Sequence, residues 1–173
     1  MISLRYGDNK PKYIRWTVYA LLLAVAVLLQ NSCGGLTEIF GARIFISIPL
    51  CVTVSMFERE VPAAVFGAFA GALWDVSSGV DGFNTLVLMI LCAVCSLLIS
   101  HLMRNNIVTA TALGTGGIAA YEIIYIAVRF WGAGSPLRFM FGFYLPSLLI
   151  TVPFVPLCYV LVRFIYNNYR NAE

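Results

Sequence analysis

The chain has 173 residues, of which 61% are hydrophobic and 11% are charged, against roughly 25% charged residues in an average soluble domain. Its mean hydropathy is +0.88, and a soluble fold of this length could not bury so much apolar surface. The composition excludes a soluble globular protein and predicts a polytopic membrane protein. No hydrophilic stretch is long enough for a separate domain, so residues 1–173 are expected to form one membrane domain.

Six apolar runs predict an all-α fold with about six transmembrane helices. They are Trp16–Gln30, Ile39–Phe57, Val61–Trp74, Phe83–Met103, Ile107–Phe130 and Phe139–Ile165. A helix needs about 20 residues to cross a ~30 Å hydrocarbon core. The third run covers only about 21 Å at the α-helical rise. Unless it extends through Asp75–Ser78, it predicts a short third helix buried inside the bundle.

The basic residues predict the orientation. If the chain alternates sides, eight Lys and Arg residues share the side of the N-terminus and three lie opposite. The eight are Arg5, Lys10, Lys12, Arg15, Arg59, Arg104, Arg163 and Arg170, and the three are Arg43, Arg129 and Arg138. Because short cytoplasmic loops carry an excess of Lys and Arg, we expect an even number of crossings with both termini in the cytoplasm.

Three prolines interrupt the last apolar run, at Pro146, Pro153 and Pro156. Each removes a backbone donor and crowds the preceding turn, so this helix is expected to kink or break. Two interpretations remain open. One is a bent helix that fits its bundle, and the other is a broken helix that lines a ligand cavity.

A glycine-rich face is predicted on the third helix. Gly67, Gly71 and Asp75 are spaced by four residues, which places them on one helical face. In lipid such a face packs closely against another helix, because association there depends on van der Waals contact at small residues. We therefore expect this face to contact another helix of the bundle or a partner.

Asp75 is expected at a helix end, where its carboxylate would meet backbone donors of Val76–Gly82. Gly79 and Gly82 would permit the tight turn that follows. The alternative for Asp75 is binding of a ligand or cation.

Glu122 is the one ionisable residue well inside a long apolar run. A charge at that depth is costly, so the side chain should face the bundle and be paired, hydrated or protonated. Arg129 and Arg43 are candidate partners. A structural polar contact and a role in binding a partner or ligand both remain open.

The sequence contains no Ser/His/Asp set, phosphate loop, zinc-binding spacing or pair of catalytic carboxylates. Cys92 and Cys95 form a C-x-x-C within an apolar run, without nearby histidines, and are expected to be packing residues. We expect a non-enzymatic membrane subunit, either structural or solute-binding, with no catalytic residue, cofactor, metal or nucleic-acid partner.

The segment GAFAGALWDVSSGVDG, Gly67–Gly82, resembles the rod shape-determining protein MreD family. Members of that family are similarly small, with five or six spans, and show G-x-x-x-D followed by S-G and a further glycine. Gly71, Asp75, Ser78, Gly79 and Gly82 match that order, and the family often has an acid at the position of Glu122. The candidate residues for helix packing or partner binding are Gly67, Gly71, Asp75, Gly79, Gly82 and Glu122.

The resemblance implies a multi-pass protein of the bacterial cell (inner) membrane that acts in cell elongation. Such a protein binds the scaffold protein MreC and thereby links the MreB filament to the peptidoglycan synthases of the rod complex, among membrane lipids. We expect part of its surface to be an apolar or small-residue groove that one partner helix can fill.

The family's fold is also similar to the substrate-binding S component of energy-coupling factor vitamin transporters, which is the alternative function. Ala20 and Ala24 form a small-x-x-x-small pair of the kind by which an S component docks its coupling subunit. An S component should also have a polar, aromatic-lined pocket at the outer face.

Overall fold

The protein is described by a computed structural model. In the residues that the structure describes, the regular secondary structure is helical apart from one pair of two-residue strands. These residues are 10–32, 38–39, 42–43, 45–79, 82–129 and 145–170. The elements are α1 (Lys10–Ser32), β1 (Glu38–Ile39), β2 (Ala42–Arg43), α2 (Ser47–Ser55), α3 (Glu60–Ser78), α4 (Phe83–His101), α5 (Ile107–Arg129), α6 (Leu145–Thr151) and α7 (Phe154–Arg170). The strands pair antiparallel, with Glu38 opposite Arg43.

Five segments of the described chain are long and apolar enough to cross a membrane, which supports a multi-pass membrane protein. They are Lys12–Asn31 in α1, Glu60–Ser78 in α3, Phe83–His101 in α4, Ile107–Val128 in α5 and Ser147–Tyr169 in α6 and α7. In the apolar run Ile39–Phe57, predicted as the second of about six transmembrane helices, the helix within the described residues is the nine-residue α2.

Helix α2 is short because of Pro49 at its start and hydrogen bonding at its end. Pro49 lies in the first turn, where its missing N–H has no intrahelical acceptor to lose. A helix that began earlier would bring the proline into its interior. At the other end, the Asn105 side-chain amide donates to the Met56 carbonyl at 3.0 Å. All nine residues of α2 are buried, and the helix contacts α1, α3, α4, α5 and α7.

The prediction of a short, buried third helix is wrong. Helix α3 has 19 residues, Glu60–Ser78, and spans about 28 Å at the α-helical rise. It continues past Trp74 because the polar groups there have partners within the protein. Ser77 donates to the Leu73 carbonyl at 2.6 Å, and the Asp75 carboxylate is bound by α4. The short buried helix of this fold is α2.

The last apolar run was predicted to kink or break, and the structure shows an interrupted helix. Helix α6 ends at Thr151, a turn follows at Val152 and Pro153, and α7 begins at Phe154. The Thr151 hydroxyl donates to the Ser147 carbonyl at 2.6 Å and accepts a hydrogen bond from the Phe45 N–H at 3.3 Å. The end of α6 is thereby tied to the segment that leads into α2.

Buried polar contacts are concentrated at two opposite ends of the bundle. At the end that we call the Arg15 end, Arg15 of α1 contacts both Glu58 and the ring of Tyr166 in α7. At the other end, the Asp75 end, Gln30 of α1 binds Ser47. The first turns of α1 and the last turns of α7 therefore lie at the same end of the bundle.

Candidate functional site

The two glycines of α3 lie directly against α4. A Cβ atom built on Gly71 would lie 2.5 Å from the Cα of Thr85 and 2.6 Å from the Asn84 carbonyl oxygen. At Gly67 it would lie 2.5 Å from the Leu88 carbonyl oxygen and 2.9 Å from the Cys92 sulfur. Any side chain at either position would require backbone atoms to move apart. The face predicted from the spacing is thus the α3–α4 interface inside the bundle.

The Asp75 carboxylate caps the N-terminus of α4. Its Oδ1 accepts from the Asn84 N–H at 3.1 Å, and its Oδ2 accepts from the Thr85 N–H at 2.8 Å and the Thr85 hydroxyl at 2.6 Å. A carboxylate here satisfies first-turn amides and interacts favourably with the helix dipole. The donors belong to α4, just beyond the predicted interval Val76–Gly82. These three contacts explain how Asp75 is only 6% exposed.

Gly79 and Gly82 form the two ends of the α3–α4 connection. Gly79 ends α3 with φ 64°, and its N–H donates to the Asp75 carbonyl. Gly82 precedes α4 with φ 73°. Both conformations are left-handed, which glycine adopts without the cost that a Cβ imposes. Together they return the chain so that Asp75 reaches the first turn of α4.

An aromatic cluster lies beside this cap at the Asp75 end. The Trp74 and Tyr121 rings stack with centroids 5.4 Å apart, and the Phe45 ring lies 5.8 Å and 6.0 Å from them. Phe83 of α4 and Tyr125 of α5 extend the cluster. The Tyr121 hydroxyl donates to the Asn84 side-chain oxygen at 2.6 Å, so the cluster is joined to the residue that Asp75 binds.

Glu122, the next residue along α5, is buried at 6% exposure. Its Oε1 has no hydrogen-bond partner in the described part of the chain. The proposed partners Arg43 and Arg129 have side chains outside the described set. Gln30, fully buried at the same end, also has one polar atom without a hydrogen-bond partner among the described residues. Its Oε1 accepts from the Ser47 N–H and hydroxyl, whereas its Nε2 has no acceptor among the described residues.

The buried ion pair between Arg15 and Glu58 was not predicted from the sequence. The Arg15 Nε lies 3.0 Å from Glu58 Oε1, and the Trp16 indole donates to Glu58 Oε2 at 3.2 Å. The Ser96 hydroxyl donates to the Glu58 carbonyl at 2.8 Å. One connecting residue thereby joins α1 and α4. In the sequence, Arg15 contributed only to the Lys and Arg count that predicts membrane orientation, and nothing there indicated that it pairs with Glu58.

An apolar groove of about 450 Å³ separates α4 from α5 on the outside of the bundle. The α5 side carries the small residues Ala112, Gly116 and Ala120, and the α4 side carries branched residues that include Ile90 and Val94. A Cβ on Gly116 would meet no atom within 4 Å. The groove is therefore open to a partner in the lipid phase, unlike the filled α3–α4 interface.

The geometry is that of packing and binding surfaces. In the described residues, no group of three or more His, Cys, Asp and Glu side chains is placed to hold a metal ion. Cys92 instead packs against Gly67. No protein-family model matches the chain, and no curated protein or solved structure shows significant similarity to it.

Proposed function

We propose that this protein is a non-enzymatic membrane subunit of the bacterial rod (elongation) complex. In this role it binds an MreC-type scaffold protein in the cell membrane and helps to link the MreB filament to peptidoglycan synthesis. The resemblance of Gly67–Gly82 to the MreD family suggests the proposal. The structure gives those residues a structural role, because Gly67, Gly71 and Asp75 hold α3 against α4.

The observation that carries the proposal is the open α4–α5 groove. Its lining extends from Leu86 to Leu98 on α4 and from Ala112 to Ile124 on α5, or about 18 Å along each helix. Small residues at Ala112, Gly116 and Ala120 allow a partner backbone to approach closely, which is how helices associate in lipid. The groove therefore suits the single transmembrane anchor of a scaffold protein.

Replacing Gly116 with leucine should reduce recovery of the MreC-type protein about tenfold while the variant accumulates normally. The leucine side chain would occupy the groove, and its Cβ meets no atom within 4 Å, so the helix backbones need not move apart to admit it. Overpacking a close helix contact typically costs about 1–3 kcal/mol. The measurement is co-purification from native membranes. Ala72→Leu, on an exposed position of α3, is the matched control and should retain the partner. Normal partner recovery with Gly116→Leu would contradict this docking site.

We further propose six membrane crossings with both termini in the cytoplasm. The contacts of α2 support this count, because Ser47 at its start binds Gln30 and Glu58 beyond its end binds Arg15. Those two α1 residues are about 22 Å apart at the α-helical rise. The segment from Ser47 to Glu58 therefore returns across most of the depth of α1, although it is too short for an independent span. The eight-to-three distribution of Lys and Arg supports the orientation.

Single cysteines should report this topology in a background without the native cysteines. In intact cells, a membrane-impermeant thiol reagent should label a cysteine at Ser135 and spare cysteines at Asn9 and Asn171. Permeabilised cells provide the control, in which all three positions react. Labelling at Asn9 or Asn171 in intact cells would overturn the proposed orientation.

The alternative function is the S component of a vitamin transporter. The Asp75 end combines the aromatic cluster with two buried polar atoms, Glu122 Oε1 and Gln30 Nε2, that have no partner in the described residues. Such groups suit a polar ligand that stacks on aromatic rings. The same co-purification separates the two functions. A transporter ATPase with its coupling subunit, or a bound vitamin, recovered without an MreC-type protein would favour this alternative.

A further inference from the structure

A second groove lies between the first turns of α1 and α3, at the Arg15 end of the bundle. Its volume is about 560 Å³. It is lined by Tyr13, Trp16, Thr17, Ala20, Val61, Pro62, Val65 and Phe66. Val61, Val65 and Tyr13 are 74%, 61% and 62% exposed. The α1 and α3 membrane segments begin at Lys12 and Glu60, so this groove, which we call the α1–α3 groove, opens at the membrane surface.

Two exposed cations lie next to lining residues of the α1–α3 groove, at the membrane-surface end. Lys12 is exposed, with its Nζ 5.0 Å from the centre of the Trp16 ring. Arg59 is exposed at the N-cap of α3. Among the described residues, the acids next to Arg59 in the sequence are Glu58 and Glu60. Glu58 binds Arg15, and Glu60 lies roughly 140° around the helix from Val65 at 100° per residue.

The start of α3 adds the backbone N–H groups of Glu60 and Val61 to these cations, whereas Pro62 in the same turn has none. Arg59 has an extended backbone, and its side chain makes no capping hydrogen bond. The first amides of an α-helix have no acceptor within the helix, and helix N-termini bind phosphate groups for this reason. Two cations, a helix N-terminus and an apolar groove leading into the membrane are complementary to a phosphate with an acyl chain attached.

We propose that the α1–α3 groove binds one anionic phospholipid, with its phosphate at Lys12 and Arg59 and an acyl chain against Trp16 and Val65. The charges at the mouth favour a lipid over a partner helix. The lining also differs from that of the α4–α5 groove, where small residues allow a helix backbone to approach. Here aromatic and branched side chains dominate, and the lining covers only about 10 Å of α1, from Tyr13 to Ala20.

Lipid retention measured by native mass spectrometry tests the headgroup preference. The protein is titrated with phosphatidylglycerol or phosphatidylcholine of the same acyl chains, and wild type should retain one phosphatidylglycerol in preference. Lys12→Gln and Arg59→Gln should each weaken that preference about fivefold, because one surface cation is removed. Arg104→Gln, which removes an exposed cation outside the groove, should leave it unchanged. Equal retention of both lipids by wild type, or equal losses in all three variants, would overturn the proposal.

Quenching of Trp16 fluorescence locates the bound lipid. The probe is the variant Trp74→Phe with Trp131→Phe, placed in vesicles that contain a minor fraction of acyl-brominated phosphatidylglycerol or phosphatidylcholine. Brominated phosphatidylglycerol should quench Trp16 more strongly, and Lys12→Gln with Arg59→Gln should remove the difference. Equal quenching by both lipids would indicate ordinary surrounding lipid. Absence of quenching by either would show that a protein segment or a second copy covers the groove. Both results overturn the proposal.

Discussion

Replacing Gly71 with leucine should strongly reduce the amount of folded protein that accumulates in the membrane. A Cβ at this position would lie 2.5–2.7 Å from three backbone atoms of Asn84 and Thr85, which cannot rotate away as a side chain can. Helices α3 and α4 must separate to admit it, and that movement also draws Asp75 away from the donors of α4. We expect a loss of at least about 3 kcal/mol of unfolding free energy. Unfolding of the purified protein in mixed micelles, together with its yield from membranes, measures this effect.

Gly116→Leu is the matched control for this substitution. It makes the same chemical change on a neighbouring membrane helix, at a glycine whose added Cβ meets no atom within 4 Å. Its yield and unfolding free energy should remain close to those of the wild type. Similar behaviour of the Gly71 and Gly116 variants would show that the α3–α4 contact is looser than its geometry indicates.

Replacing Glu58 with leucine should be comparably damaging at the opposite end of the bundle. The change removes the carboxylate that binds the Arg15 Nε and the Trp16 indole. Arg15 is only 6% exposed, and removing one partner of a buried ion pair typically destabilises a protein by about 3–5 kcal/mol. Glu58→Gln should cost less, because its amide oxygen still accepts a hydrogen bond. The free energy of unfolding in mixed micelles is the measurement.

A double-mutant cycle separates the ion pair from other effects of the substitution. Arg15→Met in the Glu58→Leu background removes the cation that Glu58 contacts and should recover part of the lost stability. Arg15→Met alone should be destabilising, since it leaves the Glu58 carboxylate buried without its cation. Strictly additive costs of the two single changes would mean that the pair contributes no coupling energy.

The fold was predictable where it depends on hydropathy over long stretches. Helices α1, α4 and α5 correspond to the apolar runs, because a continuous apolar surface in lipid requires a helix with internally satisfied backbone groups. Hydropathy failed for α2 and α3, whose lengths depend on specific hydrogen bonds. The Asp75 carboxylate is bound by Asn84 and Thr85, which keeps the end of α3 helical. Local composition contains no information on such distant partners.

For the candidate residues, the sequence predicted which of them share a helical face but not what that face contacts. Four-residue spacing placed Gly67, Gly71 and Asp75 on one face, since helical geometry alone determines which residues share a face. It could not indicate which helix this face contacts. The Arg15–Glu58 pair was missed because its members are 43 positions apart and Glu58 reads as an ordinary residue of a polar connection. The two grooves were equally hidden, because a groove depends on how two helices diverge.

The complete burial of α2 has a consequence for how the protein is made. A nine-residue helix is too short to partition into the bilayer by itself, so the translocon cannot release it as a finished span. Its neighbours include α5 and α7, which leave the ribosome later. The Phe45 N–H just before α2 donates a hydrogen bond to the Thr151 hydroxyl, 106 positions downstream, which is synthesised much later. The second segment therefore reaches its final place only after synthesis of the last helix, and a nascent chain that stops short of α7 exposes an unfinished core to quality-control proteases.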